Sequence, residues 1–546
     1  MKNSPLEKVT IYTAVAVSLI FTPMNFDALI IPKIVLIFIL AMYLAPVVIG
    51  SLKLFKSDTR LKILITLSFL IIMQMILSMI ISEAPFAQEF YGRTGRGLGL
   101  ITFLGLTVIL LYMAINSKIE TSRIIVSALV MSGVFSSSYA LLQRFSLDPF
   151  NWNSRTNGII GTLGNPNFQS SFAAMTVIPA LVYFGHKKNR VVLIPPVLAL
   201  LLLTLYYTQS TQGYIATLSA ILIFSSIYFW YKNKLITIIT LIFGFLVTVT
   251  AIFGMLNRGP LSYWLYKVSV QSRGDFWRSA FEAATSNPLT GIGIDSFGDF
   301  YLKYRDPIAF SHPFAEITDN AHNYLLEYAV TGGFPLALLH LGIILLTLIS
   351  FFSLQKKLNK FNPYLAALFS AWIVFQLQSI ISPGTIVLLL WNYLISGFVV
   401  GANVKYSFEQ DGVNNLLKVN FGPKNLSGFA LAICAVFTIF PLFNSDRLLL
   451  KALNARDASA VVKSLNSFPQ SSVKYNIFGQ ELLRSNLPIQ ALEVARKATI
   501  FNPNAVSAWG LVFSNPKASV DERINARDQI LRLDPLNQEV FKYEIS

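Results

Sequence analysis

Charged residues are scarce in this chain. Asp, Glu, Lys and Arg make up 13% of its 546 residues, whereas an ordinary soluble domain has about 25%. Hydrophobic residues make up 54%, so the chain lacks the polar surface that a string of soluble domains requires. The excess apolar surface must face lipid, and the sequence therefore predicts a multi-pass membrane protein.

Cysteine and histidine are rarer still, with one cysteine and four histidines in the whole chain. Cys434 lies in an apolar run, which excludes an intramolecular disulfide and a cysteine-rich metal site. The sequence has no HExxH, P-loop, GxSxG or CxxC pattern, so metalloprotease, NTPase and serine hydrolase functions have no support. We therefore expect a protein that uses no metal and no cofactor.

Long apolar runs fill most of the first 444 residues. Windows of about 20 residues, the length that crosses a bilayer as a helix, find about 12–13 such runs. They lie near residues 9–23, from 29 onward, 61–82, 98–116, 122–142, 168–185, 191–208, 213–231, 234–256, 322–352, 361–381, 384–402 and 425–443. The predicted fold class is all-α, with a polytopic membrane bundle over 1–444 and an α-helical domain over 445–546.

Basic residues gather in alternate loops between these runs. Under the positive-inside rule, loops rich in Lys and Arg remain in the cytoplasm. The loops so marked contain Lys53, Lys56, Arg60, Lys62, Lys118, Arg123, Lys187, Lys188, Arg190, Lys232, Lys234, Lys356, Lys357, Lys360, Lys405, Lys418 and Lys424. We predict a cytoplasmic N-terminus, an external C-terminus and one large external loop, about 257–321. The rule also accounts for the net charge of +16, so we expect no nucleic-acid partner.

The tail from Asp446 onward has charged helices instead of apolar spans. Three prolines are spaced 34 and 32 residues apart, each followed six positions later by an aromatic residue: Pro469 and Tyr475, Pro503 and Trp509, Pro535 and Phe541. This spacing is close to the tetratricopeptide period, and Ala491, Ala495 and Ala498 place small residues on one helix face. We predict about two or three external helix-turn-helix repeats that bind a protein partner; a stabilising cap is the alternative.

Polar side chains suited to anions or sugars lie in the predicted external loops. Arg93 and Arg96 lie in a glycine-rich turn, and Arg155 lies in the next external loop. A planar guanidinium suits phosphate because it donates two parallel hydrogen bonds at once; contact with lipid headgroups is the alternative. Asn165 and Asn167 close the second loop, where their amides could bind sugar hydroxyls or cap the following helix.

A second polar group surrounds the end of the large external loop. Arg273 and Asp275 fall on a predicted short amphipathic helix, for which a helix lying on the membrane surface is the alternative. Asp319, His322 and Asn323 open the following span. Histidine is the side chain best suited to accept or orient a proton near neutral pH. Its polar neighbours favour that role for His322 over a headgroup contact.

Three motifs follow one another along the chain. They are Gly161-Thr-Leu-Gly164-Asn165-Pro166-Asn167, then Ser272-Arg273 with Asn287-Pro288-Leu289-Thr290-Gly291-Ile292-Gly293, and then His322-Asn323 followed by Gly333. In this order they resemble the O-antigen ligase and polymerase superfamily of bacterial membrane glycosyltransferases. The later segment Ser382-Pro383-Gly384-Thr385 through Trp391 resembles the branch whose members have a tetratricopeptide tail.

The resemblance implies a GT-C-like fold and a metal-independent glycosyltransferase. Its donor would be an undecaprenyl-diphosphate-linked oligosaccharide, with a glycan, lipid or protein as acceptor and membrane lipids as further partners. It implies that Arg273 holds the lipid-linked pyrophosphate and that His322 assists the acceptor hydroxyl or orients the diphosphate. Arg96 matches a further external arginine of the family.

One position departs from the family pattern. Many members have an arginine where this chain has Gln212, within Ser210-Thr211-Gln212-Gly213. The resemblance then leaves neutralisation of the second phosphate to Arg93, Arg96 or Arg155.

The sequence thus predicts an enzyme at the external face of the bacterial plasma membrane that ligates or polymerises lipid-linked glycan. Its acceptor stays open between lipid A core, a repeat unit, a wall polymer and a protein. A transporter or flippase of lipid-linked sugars is the first alternative, and it would place polar residues near the bilayer midplane. Few lie there, chiefly Gln74, Gln376 and Gln378. A non-catalytic scaffold is the second alternative.

Overall fold

The computed structural model describes residues 4–52, 58–150, 152, 157–266, 268–311, 317–410, 426–455 and 458–537. All regular elements in these ranges are helical, and no strand lies within them. The helices before the large loop are α1 (Pro5–Leu19), α2 (Ile31–Gly50), α3 (Thr59–Ile81), α4 (Phe86–Tyr91), α5 (Leu100–Asn116), α6 (Thr121–Arg144), α7 (Pro166–Gly185), α8 (Ile194–Tyr207), α9 (Thr211–Trp230) and α10 (Lys234–Met255). The all-α prediction is confirmed.

The large loop contains helices of its own and precedes the last membrane helices. It holds α11 (Ser262–Leu265), α12 (Val268–Ser286) and α13 (Phe297–Phe300), and it is followed by α14 (Tyr324–Leu358), α15 (Pro363–Gln378), α16 (Ile386–Gln410) and α17 (Leu426–Ala455). Two 3-10 helices, Lys188–Leu193 and Pro307–Ser311, connect neighbouring elements.

A helix lies at each predicted apolar run. In the described ranges, ten helical segments are long and apolar enough to cross a membrane, and α5 and α15 are shorter apolar helices. Helix α1 falls outside both groups; it has 15 residues and includes Glu7 and Lys8. The prediction of a multi-pass membrane protein is confirmed.

Helix α16 forms the centre of the bundle. Its residues from Ile386 to Lys405 are all buried, so this stretch has no face toward lipid. Gly397 and Gly401 lie against α5, where an added Cβ would come within 2.3 Å of the Leu110 carbonyl oxygen and 2.4 Å of the Ala114 carbonyl oxygen. Small residues four positions apart let two membrane helices approach closely, and here they bring α5 and α16 into contact.

Helix α14 breaks where the large loop packs against it. Gly333 has φ 77° and ψ 169°, a conformation that glycine adopts without steric cost. An added Cβ there would lie 2.5 Å from the carbonyl carbon of Leu289. A break leaves backbone carbonyl groups that need new donors. The side chain of Gln74 on α3 supplies one of them, donating to the carbonyl oxygen of Gly332 at 2.8 Å and also to that of Leu289 in the large loop at 2.6 Å. Ser78 on the same helix donates to the Thr331 carbonyl oxygen at 2.8 Å.

Beyond α17 the described residues fold into the tail domain, which comprises α18 (Ala458–Leu465), α19 (Ser472–Arg484), α20 (Pro488–Phe501), α21 (Val506–Phe513) and α22 (Val520–Leu533). Helix α19 packs on α20, and α21 packs on α22, as two helical hairpins. Ala491, Ala495 and Ala498 are buried, as the sequence predicts. Membership of the tetratricopeptide class stays a prediction, and Phe541 lies outside the described residues.

The tail domain packs on the membrane part. Arg305 of the large loop forms a nearly buried ion pair with Asp534, with 2.9 Å between the guanidinium and carboxylate atoms. Helix α17 runs through the predicted domain boundary at 444/445, and its residues Leu449 and Ala452 pack in one hydrophobic cluster with Tyr475. The two parts therefore share a continuous helix and a buried charge pair.

We expect Gln74→Leu to lower the free energy of unfolding by about 1–3 kcal/mol, because the carbonyl groups of Gly332 at the α14 break and of Leu289 beside it lose this donor. Thermal unfolding in detergent measures the effect. Met73→Leu is the matched control, since Met73 is exposed on the same helix; it should unfold at the wild-type temperature. Equal unfolding temperatures for the two variants would contradict this account of the break.

Candidate active site

A cleft of about 850 Å³ lies among α7, α9, α12 and the segment before α14. It brings together seven residues predicted from the sequence: Arg93, Asn165, Asn167, Gln212, Arg273, Asp319 and His322. Arg96, Asp275 and Asn323 are neighbours of this lining but lie outside it. Arg155 lies outside the described residues. The fold thus gathers side chains from five distant segments into one cleft.

His322 is fixed by the turn before α14. Its backbone is left-handed, with φ 52°, a region in which histidine is more common than most residues. Its amide N–H donates to Asn320 Oδ1 at 2.8 Å, and the Asn323 side chain caps α14 by accepting from the Leu326 amide at 2.9 Å. The Phe276 ring lies 5.3 Å from the imidazole, centroid to centroid. These contacts place the imidazole at the wall of the cleft.

The surroundings of His322 keep its imidazole neutral. Burial, followed by the guanidiniums of Arg96 and Arg273, lowers the pKa of His322 to about 3, and Asp319 opposes this only in part. The Nδ1 atom is buried and has no hydrogen-bond partner in the described part of the chain. A neutral imidazole can accept a proton, whereas an imidazolium cannot. An anion bound nearby would raise the pKa again, because negative charge favours the protonated form.

Helix α12 directs Arg273 to the cleft and Asp275 elsewhere. Arg273 and Phe276 are three positions apart, so they share one face of the helix, and both line the cleft. Asp275 is buried in an ion pair with Arg278, whose Nε also donates to Asp306 at 2.6 Å. Asp275 therefore has a structural partner within its own helix, and its contact with substrate stays a prediction.

The arginine turn, residues 92–97, is anchored by carboxylates from distant segments. Asp295 accepts from the amide N–H of Arg93 at 2.7 Å, and Asp27 accepts from the amide N–H of Gly95 at 2.8 Å. Burial raises the pKa of Asp295 to about 6, against the lowering effect of hydrogen bonds from the amide N–H groups of Arg93 and Leu98 and of the nearby guanidiniums. The turn is thus fixed at two points by side chains outside it.

Both guanidiniums of the turn also have carboxylate partners. Arg93 Nη1 lies 2.8 Å from Asp299 Oδ1 and packs on Gly298, where an added Cβ would be 3.0 Å from that nitrogen. Arg96 donates twice to Asp319, at 3.0 and 2.5 Å. Burial disfavours the Asp319 carboxylate, but the Arg96 ion pair prevails and lowers its pKa. A phosphate that binds Arg96 must therefore compete with Asp319.

Gln212 belongs to a buried polar network. Its Nε2 donates to Ser171 Oγ and to Gln378 Oε1, each at 2.9 Å, and its Oε1 accepts from Ser382 Oγ at 2.8 Å. Both amide N–H groups have protein partners. Gln212 thus connects α9 to α7 and α15 and adds no positive charge to the cleft.

Asn165 and Asn167 lie at the amino end of α7. The Asn165 side chain accepts from the amide of Asn167 at 2.8 Å, as a helix cap does. Asn167 Oδ1 accepts from Ser210 Oγ at 2.7 Å. The capping alternative is confirmed for Asn165, while sugar binding by the two amides stays a prediction.

Sequence reasoning missed four groups that shape this site: Asp27, Asp295, Asp299 and Asn502. Asp295 lies two positions after Gly293 of the Gly291-Ile292-Gly293 motif, and that proximity was a usable signal. Asp299 carries no local signal, because its partner Arg93 is 206 positions away.

Residues 196–341 match the family model described as O-antigen ligase (Wzy_C). The matched region is about a quarter of the chain. This match agrees with the resemblance found in the sequence and supports a membrane glycan ligase or polymerase role. No curated protein matches the chain significantly.

The matched region supplies only part of the cleft. Gln212, Arg273, Asp319 and His322 lie within residues 196–341, whereas Arg93 comes from the segment before it. The arginine turn thus adds a guanidinium to the cleft from outside the matched region.

Across the described ranges, no group of three or more His, Cys, Asp or Glu side chains is arranged to hold a metal ion.

We expect the His322 imidazole of the unliganded protein to be neutral even at about pH 5, because its pKa is about 3. Histidine ¹⁵N NMR in detergent measures this, with His322→Gln to assign the signal. Since the unfolded chain takes up this proton at about pH 6.5, the folded state should lose stability as the pH falls from 6.5 toward 3. Titration near pH 6.5 in the folded, unliganded protein would contradict the assignment.

Proposed function

We propose that the protein transfers or polymerises glycan at the external face of the bacterial plasma membrane. The donor is an undecaprenyl-diphosphate-linked oligosaccharide, and the acceptor is a glycan, lipid or protein. The observation that carries the proposal is the meeting of Arg273 and His322 in one cleft, both within the region that matches the O-antigen ligase model. Transfer from a diphosphate needs a cation for the leaving group and a base for the acceptor.

The cleft residues divide into these two roles. Arg273 and Arg93 stabilise the charge that develops on the diphosphate as its bond to the sugar breaks. The acceptor hydroxyl attacks the sugar carbon and passes its proton to His322. The new glycosidic bond forms as the undecaprenyl diphosphate leaves, so no metal or nucleotide sugar enters the reaction.

The low pKa of His322 makes the order of binding important. With a pKa of about 3, the free imidazole is a weak base, because efficient general bases have a pKa near the working pH. A diphosphate bound to Arg273 adds negative charge beside the ring and offsets the two guanidiniums. Binding of the donor therefore raises the pKa of His322 and makes it a better base, and we propose that the donor binds before the acceptor reacts.

The polar residues inside the spans favour this proposal over a transporter. Gln74 donates to the backbone at the α14 break. Gln376 donates to Asn392 Oδ1 at 2.8 Å, and Gln378 accepts from Gln212. These side chains therefore stabilise helix packing, whereas a transport path needs polar groups directed toward its cargo.

We expect Arg273→Ala to reduce glycan transfer about 100-fold or more, the usual cost of removing a donor to a developing oxyanion. Arg258→Ala is the matched control, because Arg258 is exposed in the same loop and lies outside the cleft lining. Transfer is measured as glycoconjugate formed in a deletion strain complemented with each variant, with protein levels checked by immunoblot. Wild-type transfer by Arg273→Ala would contradict the assignment of this residue.

We expect the tail domain to be external and the loop between α7 and α8 to be cytoplasmic. In a Cys434→Ser background, Ser485→Cys should react with a membrane-impermeant maleimide in intact cells, since Ser485 is exposed. Lys187→Cys should react only after permeabilisation. The reverse pattern would overturn the proposed orientation and, with it, the external site.

A further inference from the structure

Asn502 connects the tail domain to an arginine of the cleft. It lies between α20 and α21 with 1% of its surface exposed, and its Nδ2 donates to Asp299 Oδ2 at 3.1 Å. The other oxygen of Asp299 pairs with Arg93 at 2.8 Å. Gln88 donates to the same Oδ2 atom at 2.9 Å. One buried carboxylate therefore contacts the tail domain, α4 and the cleft arginine together.

A second connection reaches the same turn from α17. The carboxylate of Asp446 accepts from the amide N–H of Asp27, at 3.1 and 3.3 Å. Asp27 in turn accepts from the amide N–H of Gly95, two residues after Arg93. The side chain and the backbone of the arginine turn are thus connected to the C-terminal part by separate routes.

We propose that the tail domain is a positioning element for the cleft, with Asn502 and Asp299 as the positioning residues that hold Arg93 toward the diphosphate. This inference rests on the proposed function. A long side chain on a glycine-rich turn loses much conformational freedom when it binds an anion. If protein contacts already hold the side chain in place, less freedom is lost on binding. Arg273 lies on a helix and has less need of such support. The tail domain therefore acts on the chain's own cleft.

The test replaces one buried asparagine that faces the membrane part and one that does not. Asn502→Asp keeps the side-chain size but opposes the Asp299 carboxylate with a second negative charge. Asn515→Asp is the matched control, because Asn515 is also 1% exposed and donates within the tail domain, to the Pro488 carbonyl oxygen at 2.9 Å. Both variants are made in the full chain, and thermal unfolding reports any general loss of stability.

Two measurements follow the position of Arg93 without requiring turnover. Phenylglyoxal modification of Arg93, quantified by peptide mass spectrometry, should become several-fold faster in Asn502→Asp. The dissociation constant for inorganic pyrophosphate, measured by calorimetry in detergent, should rise about 5- to 30-fold, within the usual range of coupling between sites. In a transfer assay, KM for the lipid donor should rise more than kcat falls. Asn515→Asp should match the wild type in all three.

Equal Arg93 modification rates in Asn502→Asp and the wild type would overturn the inference. So would equal changes in the two variants, which would indicate a general effect of tail stability. A wild-type protein that transfers no glycan from a lipid diphosphate would refute the proposed function instead. The modification rates would still decide whether the tail domain positions Arg93.

Discussion

Carboxylates buried beside guanidiniums determine the geometry on which the cleft depends. A buried carboxylate is costly unless it is paired or hydrogen-bonded, and Asp295 and Asp299 meet this requirement through the arginine turn. The partly exposed Asp319 pairs with Arg96 of the same turn. The turn and these three aspartates come from segments about 200 residues apart, so each can be satisfied only when the large loop lies over the turn. The same contacts that remove the cost of buried charge therefore bring the arginines and His322 to one place.

This arrangement also determines which ligands the cleft can bind well. Arg93 and Arg96 already have carboxylate partners, so they offer an incoming anion less attraction than two free guanidiniums would. A diphosphate can compensate with its higher charge and its several acceptor oxygens. The neutral state of His322 also favours an anionic ligand. The two nearby guanidiniums attract an anion beside the ring and disfavour a second proton on it. The cleft thus combines cation-assisted binding with a base that is weak until the anion arrives.

Periodicity and composition were enough to predict the helices, because a span of lipid imposes a length and a polarity that the sequence must display. The motifs likewise pointed to His322 and Arg273, which both line the cleft, since the residues of each motif are close together in sequence. The anchors Asp27, Asp299 and Asn502 could not be found in this way. Each is an isolated polar residue whose partner lies far along the chain, and only the packing of the loops makes the contact. Gln74 shows the same limit: its polarity predicted a midplane group, but its function depends on the break in α14.

The burial of residues 386–405 of α16 has a consequence for how the protein assembles in the membrane. This helix comes late in the chain, yet its Trp391 indole donates to Ser18 of α1, 373 positions earlier, and its Gly397 and Gly401 lie against the backbone of α5. These glycines leave no room for lipid between the two helices. The contacts at the centre of the bundle therefore cannot form until α16, one of the last membrane helices, has been synthesised.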